Sequence, residues 1–188
     1  MINTTLFFLT GNSHKFKEVE SFIHSSGLEV TVLQKNLPLI EIQSYSLKDV
    51  AIHKIDSVSS ELKENYFVED SGFFIDHLKN FPGVFSSYVQ EMIGNAGVLK
   101  LMEGIQNRLS WFRSIIALMY NGHIYTFMGE VEGIVSYAIR GAQGFGYDPI
   151  FIPKGFKKTF AEISMDHKNR LSHRIQALQK MVDFLSLK

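Results

Sequence analysis

Glu69 and Asp70 close an apolar run, Tyr66-Phe67-Val68, and are followed by Ser71-Gly72 and a second apolar run, Phe73-Phe74-Ile75. The aromatic and β-branched residues predict strand on both sides. Ser71-Gly72 reads as a turn in which Gly72 can take φ > 0 next to a ligand. Acids left at a strand's end stand where open α/β sheets bind their ligands. Side chains alternate across a strand, so by default one of the two acids faces such a site, and the reading takes Asp70. Hard carboxylate oxygens there suit Mg²⁺ carrying substrate phosphates better than a caged zinc. An ordinary acidic turn is the bland alternative. Glu41, set among apolar residues in Pro38-Leu39-Ile40-Glu41-Ile42-Gln43, needs a partner that a metal ion shared with Asp70 would supply. Its alternative is a solvent-facing glutamate on a half-buried strand.

Three further stretches carry residues able to hold an anion or a ring. Thr10-Gly11-Asn12-Ser13 breaks a short strand just ahead of a helical pattern. Backbone N–H groups at such a helix start attract phosphate, and Lys15 in the first turn adds a point charge. The competing reading is Ser13 as a plain N-cap with Lys15 solvated. Residues 141–149, Gly-Ala-Gln-Gly-Phe-Gly-Tyr-Asp-Pro, let a backbone approach a ligand closely. Phe145, between Gly144 and Gly146, is better placed than Tyr147 to stack on a purine, unless both rings fold into the core. The last helix opens on Asp166-His167-Lys168-Asn169-Arg170 and Ser172-His173-Arg174. Cations there oppose the helix dipole, a cost that a bound polyanion or base carbonyl would offset; a solvated basic face is the alternative.

The elements that must position these residues follow from periodicity. Thr5 to Leu9 reads as a buried strand, residues 13 to 26 as a helix ended by Gly27, and Leu28 to Leu33 as a second strand. Ser46 caps a helix predicted over 47–62, with Lys54 beside its apolar face. Helices are expected at 86–93 and 96–105, punctuated by Gly94. Ser110 to Tyr120 is a long strand, Asn121-Gly122 the strongest hairpin signal in the chain, and 123–131 the return strand, followed by 133–138. An antiparallel block joined to a strand-loop-helix opening predicts a mixed sheet rather than a doubly wound one. Helical periodicity closes the chain over 164–187.

Composition sets bounds. The chain has 188 residues, 45% of them hydrophobic and 16 of them Phe, enough for one domain with a large core. Lys plus Arg balances Asp plus Glu at 19 each, so no global field marks a nucleic-acid binder and an anionic ligand needs a local cluster. Cysteine is absent, which excludes disulfide scaffolds, thiolate metal sites and cysteine nucleophiles. The apolar runs are strand-sized and residues 1–10 lack a signal peptide's charged start, so the expectation is a soluble cytoplasmic protein with no membrane partner.

Taken together, the motifs resemble the inosine triphosphate pyrophosphatase family, also called XTP/dITP diphosphatases. They run in order along nearly the whole chain: Thr10-Gly11-Asn12 with Lys15 and Glu18, Glu69-Asp70-Ser71-Gly72, Phe81-Pro82-Gly83, Gly144-Phe145-Gly146-Tyr147-Asp148-Pro149, Phe160-Ala161-Glu162, and Lys168 with Ser172-His173-Arg174. The resemblance implies a single α/β domain over 1–188, an elongated mixed sheet with flanking helices forming two lobes around a cleft, and a homodimer. It also implies Mg²⁺-dependent hydrolysis of deaminated purine nucleoside triphosphates to monophosphate and pyrophosphate. On this reading Thr10, Gly11, Asn12, Ser13, His14, Lys15 and Lys54 hold the triphosphate, and Ser71 and Gly72 also contact the substrate. Glu41 and Asp70, with Glu69, hold the metal, and Asp70 takes the proton of the attacking water. Phe145, Gly146, Tyr147 and Asp148 enclose the base, while Lys168, His173 and Arg174 read its oxo groups and the nearby phosphate. Many family members have an arginine shortly after the Pro-Gly turn, where Phe85-Ser86-Ser87-Tyr88 has none. A Maf-type pyrophosphatase of other modified nucleotides is the rival within the same chemistry, and a catalytically silent nucleotide-binding module the rival outside it.

Overall fold

A computed structural model describes residues 4–164, 167–168 and 171–188. Asp166, Asn169 and Arg170 of the cationic stretch lie outside the described residues. The strands are β1 (Thr4–Leu9), β2 (Val30–Lys35), β3 (Asn65–Ile75), β4 (Pro82–Gly83), β5 (Leu109–Tyr120), β6 (His123–Val135) and β7 (Phe151–Pro153). The helices are α1 (Ser13–Ser25), α2 (Leu47–Asp56), α3 (Ser86–Met92), α4 (Gly94–Leu101) and α5 (His173–Leu185). The strands make one sheet in the order β2-β1-β3-β5-β6-β7, with β4 paired to β3. β1 runs parallel to β2 and β3, whereas β4 on β3 and β7 on β6 are antiparallel. The sheet is therefore mixed, as the hairpin signal and the strand-loop-helix opening require.

The chain divides into two compact units, the first made of residues up to 70, 114–129 and 174 onward, the second of 71–113 and 130–173. Each has its own core. In the first, Leu6, Phe8 and Phe67 from β1 and β3 pack with Val19 and Ile23 of α1 and with Ile175, Leu178, Met181 and Val182 of α5. Phe8 and Phe67 stack at 4.6 Å, as the parallel register that sets them side by side dictates. In the second, Phe73 is ringed by Phe112, Tyr147 and Phe151 at 5.0, 5.0 and 5.9 Å.

Several boundaries differ from the sequence expectation for local reasons. Asn12, not Ser13, caps α1, its side chain accepting from the His14 and Lys15 N–H groups at 3.0 and 3.1 Å. Residues 38–43 form no strand. Ser46 caps α2 by accepting from Asp49 N–H, but the helix ends at Asp56, where the backbone tightens into turns. β6 is one strand rather than two. Most important for the site, β3 does not end at Asp70: Ser71 and Gly72 continue it to Ile75. Gly72 is not among the positive-φ glycines. A Cβ there would stand 2.3 Å from the Gly83 carbonyl oxygen, so the residue is glycine because β4 approaches it closely.

Candidate active site

The first unit places one constellation where α1 begins and β3 runs on to Asp70. β3 is buried from Tyr66 through Glu69, and alternation sends its two acids to different partners. Asp70 Oδ2 lies 3.1 Å from Lys54 Nζ, and Glu41 Oε1 lies 2.6 Å from the same nitrogen. Lys54 reaches this point from the last turn of α2. Burial works against its ammonium, but Asp70 and Glu41 more than offset that and hold its pKa above the ordinary lysine value.

Glu69 goes the other way. Its carboxylate is inaccessible to solvent and lies 2.7 Å from Lys15 Nζ and 3.3 Å from Arg174 Nε, and it accepts a hydrogen bond from the Ser114 hydroxyl. Burial opposes the charged form, yet Arg174 and Lys15 prevail and hold the carboxyl well below the usual carboxylate range. Arg174, itself buried, also pairs with Glu18. Both Glu69 oxygens are thus engaged by cations and a hydroxyl of the protein, whereas Asp70 and Glu41 share one cationic partner.

Lys15 links this network to the helix start, its ammonium also lying 3.4 Å from the Glu69 carbonyl oxygen. Ahead of it, Gly11, Asn12, Ser13 and His14 are exposed. Thr10 is held from both sides: its hydroxyl accepts from Asn12 N–H at 3.1 Å and its carbonyl from the Gln34 side chain at 2.9 Å. The outcome is an accessible loop leading into the N-terminus of a 13-residue helix, where the helix dipole favours negative charge.

Glu41 is 64% exposed at its side chain, so an ion arriving with a ligand can reach it. Two hard oxygen donors drawn to one positive centre are the protein share Mg²⁺ uses when substrate phosphates complete its shell. No group of three His, Cys, Asp or Glu among the described residues could hold an ion by itself.

The second unit carries the glycine-rich loop. Asp148 is buried and its Oδ2 accepts from Phe145 N–H at 2.9 Å and from Lys168 Nζ at 2.7 Å. The Lys168 ammonium lies 4.8 Å from the centre of the Phe145 ring. Gly144 has φ +76, and a Cβ there would meet Asp148 Oδ2 at 2.1 Å, so glycine is required on both counts. Phe145 is half-buried, while Tyr147 is a core residue whose hydroxyl donates to Ser86 O. Burial pushes its phenol pKa up. His173 stacks on Phe112 at 4.8 Å and 8°.

Two groups in these constellations have no role in the sequence reading of the site, Glu18 being named there only as part of the first motif. Ser114 sits in what reads as an apolar strand, and its signal is a small hydroxyl on the inward face of a buried β run. Glu18 sits on α1 between polar Lys17 and buried Val19, and only the position of Arg174 shows why an acid is buried there.

The Ham1 family model matches residues 6–184. A protein of Pyrococcus horikoshii named dITP/XTP pyrophosphatase is 45% identical over 182 residues, covering 97% of each chain. One of the same name from Thermococcus kodakarensis is 42% identical and covers 96% of each. Among solved structures, a HAM1 protein from Coxiella burnetii superposes with a TM-score of 0.88 at 29% identity, over 98% of this chain and 100% of that one.

Proposed function

Because this chain belongs to the Ham1 family, we propose that it hydrolyses deaminated purine nucleoside triphosphates, ITP, dITP and XTP, to the nucleoside monophosphate and pyrophosphate, removing them from the nucleotide pool. The observation that carries the reading is the pair of carboxylates, Glu41 and Asp70, set around Lys54 in the same unit as the helix start and Lys15. A silent binding module has no need of that acid pair.

The roles follow from the chemistry of each group. The exposed loop ahead of α1 and the positive end of its dipole, with Lys15 and Lys54, neutralise the triphosphate. Glu41 and Asp70 are the residues that would hold Mg²⁺, which when bound supplies charge neutralisation and polarisation of the phosphoryl oxygens. Asp70 accepts the proton of the water attacking the α-phosphorus, and Lys54 fixes the carboxylate that does so. The lysines then stabilise the negative charge on the departing pyrophosphate. Glu69 positions Lys15, and Arg174 acts through Glu18 and Glu69.

The second unit supports base selection. Phe145 offers a face for stacking, and Lys168, fixed by Asp148, has only donors to present. A 6-oxo group accepts from such a site, whereas adenine's 6-amino group donates and leaves a buried group unpaired, a loss of about 1–3 kcal/mol. A homodimer in the cytoplasm belongs to the same reading.

Pyrophosphate release from a panel of triphosphates, with and without Mg²⁺, tests the proposal. dITP, ITP and XTP are expected to turn over with Mg²⁺ at least about tenfold better than ATP. The Asp70→Asn variant, which keeps volume but loses a charged ligand and the base, is expected to lose at least ~10²-fold in rate while melting as the wild type does. Equal turnover of ATP, or an Asp70→Asn variant of normal rate, refutes it.

A further inference from the structure

The hold on Gly146 comes from a residue that no sequence motif marks. α4 begins without a side-chain cap, although Asn95, one residue into the helix, belongs to a type that caps readily. The Asn95 side chain is directed to the glycine-rich loop instead, its Nδ2 donating to the Gly146 carbonyl oxygen at 3.0 Å. A carbonyl only accepts, so the orientation of the amide is fixed, and Asn95 Oδ1 is left buried without a hydrogen-bond partner among the described residues. An asparagine poorly suited to a helix interior, uncommitted to capping and carrying an unsatisfied acceptor, reduces local stability at its own position.

The Asn95 hydrogen bond holds Gly146 between residues of the loop that have contacts of their own. Gly144 is packed against Asp148, Phe145 N–H bonds the Asp148 carboxylate, and Tyr147 is anchored in the core with its hydroxyl on Ser86 O. Gly146 has φ +61, and no atom of the described residues lies within 4 Å of where a Cβ would stand. Gly146 joins the half-buried Phe145 on one side to the buried Tyr147–Asp148 segment, with Lys168, on the other.

From this geometry we infer that Asn95 is a positioning residue for base recognition: by clamping the Gly146 carbonyl it sets the Phe145 ring and the Asp148–Lys168 pair in the arrangement that distinguishes a 6-oxo purine. The inference rests on the assignment of this loop to the base. It separates Asn95 from the phosphate chemistry, which belongs to residues of the first unit.

Asn95→Asp is the decisive variant, since it keeps shape but replaces the donor by an acceptor facing a carbonyl oxygen; Asn95→Ser serves as a second, uncharged variant. Steady-state kinetics on dITP and dATP with Mg²⁺, and melting curves without ligand, are measured for both variants and the wild type. The expected result is about a tenfold fall in kcat/KM for dITP, most of it in KM, with a smaller fall for dATP, so that the preference between the two narrows. Folded variants with an unchanged preference overturn the inference, and so does an equal loss of kcat on both substrates. If wild-type protein releases no pyrophosphate from dITP, the functional reading fails and the inference falls with it. If the wild type turns over dITP and Asn95→Asp matches it, the inference alone fails.

Discussion

A carboxylate with no access to water stays ionised only where cations surround it, and Glu69 is held in that state by Arg174 and Lys15. Because its folded pKa lies below the ordinary value of 4.5, the associated stability is fully present above pH 4.5 and is lost as pH falls through the folded value. Urea unfolding at a series of pH values should therefore show the wild type losing stability below about pH 4.5. Glu69→Gln should be flatter in that range but weaker by about 3 kcal/mol at pH 7, because the buried Arg174 keeps Glu18 but loses Glu69, and the partly buried Lys15 loses its carboxylate. An identical acid profile in the variant would exclude this role. At this scale the sequence was informative about direction: alternation along a strand separates Glu69 from Asp70 before any coordinates. It could not show what Glu69 meets, since Ser114 and Arg174 are distant in the chain.

At the scale of elements, signals that depend on neighbouring residues were legible and those that depend on a close approach were not. Asn121-Gly122 predicts the β5–β6 hairpin, and both residues take positive φ, 50° and 80°. Gly27 and Gly94 mark helix boundaries for the same local reason, at φ +74 and +61. Ser71-Gly72 carries the composition of a turn yet lies inside β3, because Gly72 is set by the Gly83 backbone across the β3–β4 pair and not by its own dihedral. Gly72→Ala tests that account. The added Cβ must displace β4, at a cost of about 1–3 kcal/mol in the denaturation midpoint analysis. If instead the position needed only conformational freedom for a ligand, the apo protein would be unaffected.

For the molecule as a whole, 16 Phe and 45% hydrophobic residues forecast a large core, but not its division into two, which arises from which segments meet. The formal charge is zero, so attraction for a triphosphate has to come from local sets of cations rather than from an overall field. Lys15 and Lys54, assigned to the phosphates, lie in the first unit and Lys168, assigned to the base, in the second, and mass action allows the two roles to be separated. A ligand that binds the folded state at 100 times its Kd stabilises it by about 2.7 kcal/mol. Melting temperature should rise with Mg²⁺ and a non-hydrolysable dITP analogue, and also, by less, with Mg²⁺ and inorganic tripolyphosphate, which has no base. Each variant is compared with its own ligand-free melt, so that its intrinsic stability cancels. Lys15→Ala should blunt both rises, since it removes a phosphate charge common to the two ligands. Lys168→Ala should blunt the rise with the nucleotide and leave that with tripolyphosphate intact, because its partners are Asp148 and the Phe145 ring. Equal blunting of both ligands by Lys168→Ala would move that lysine to the phosphates and take base selection away from the glycine-rich loop.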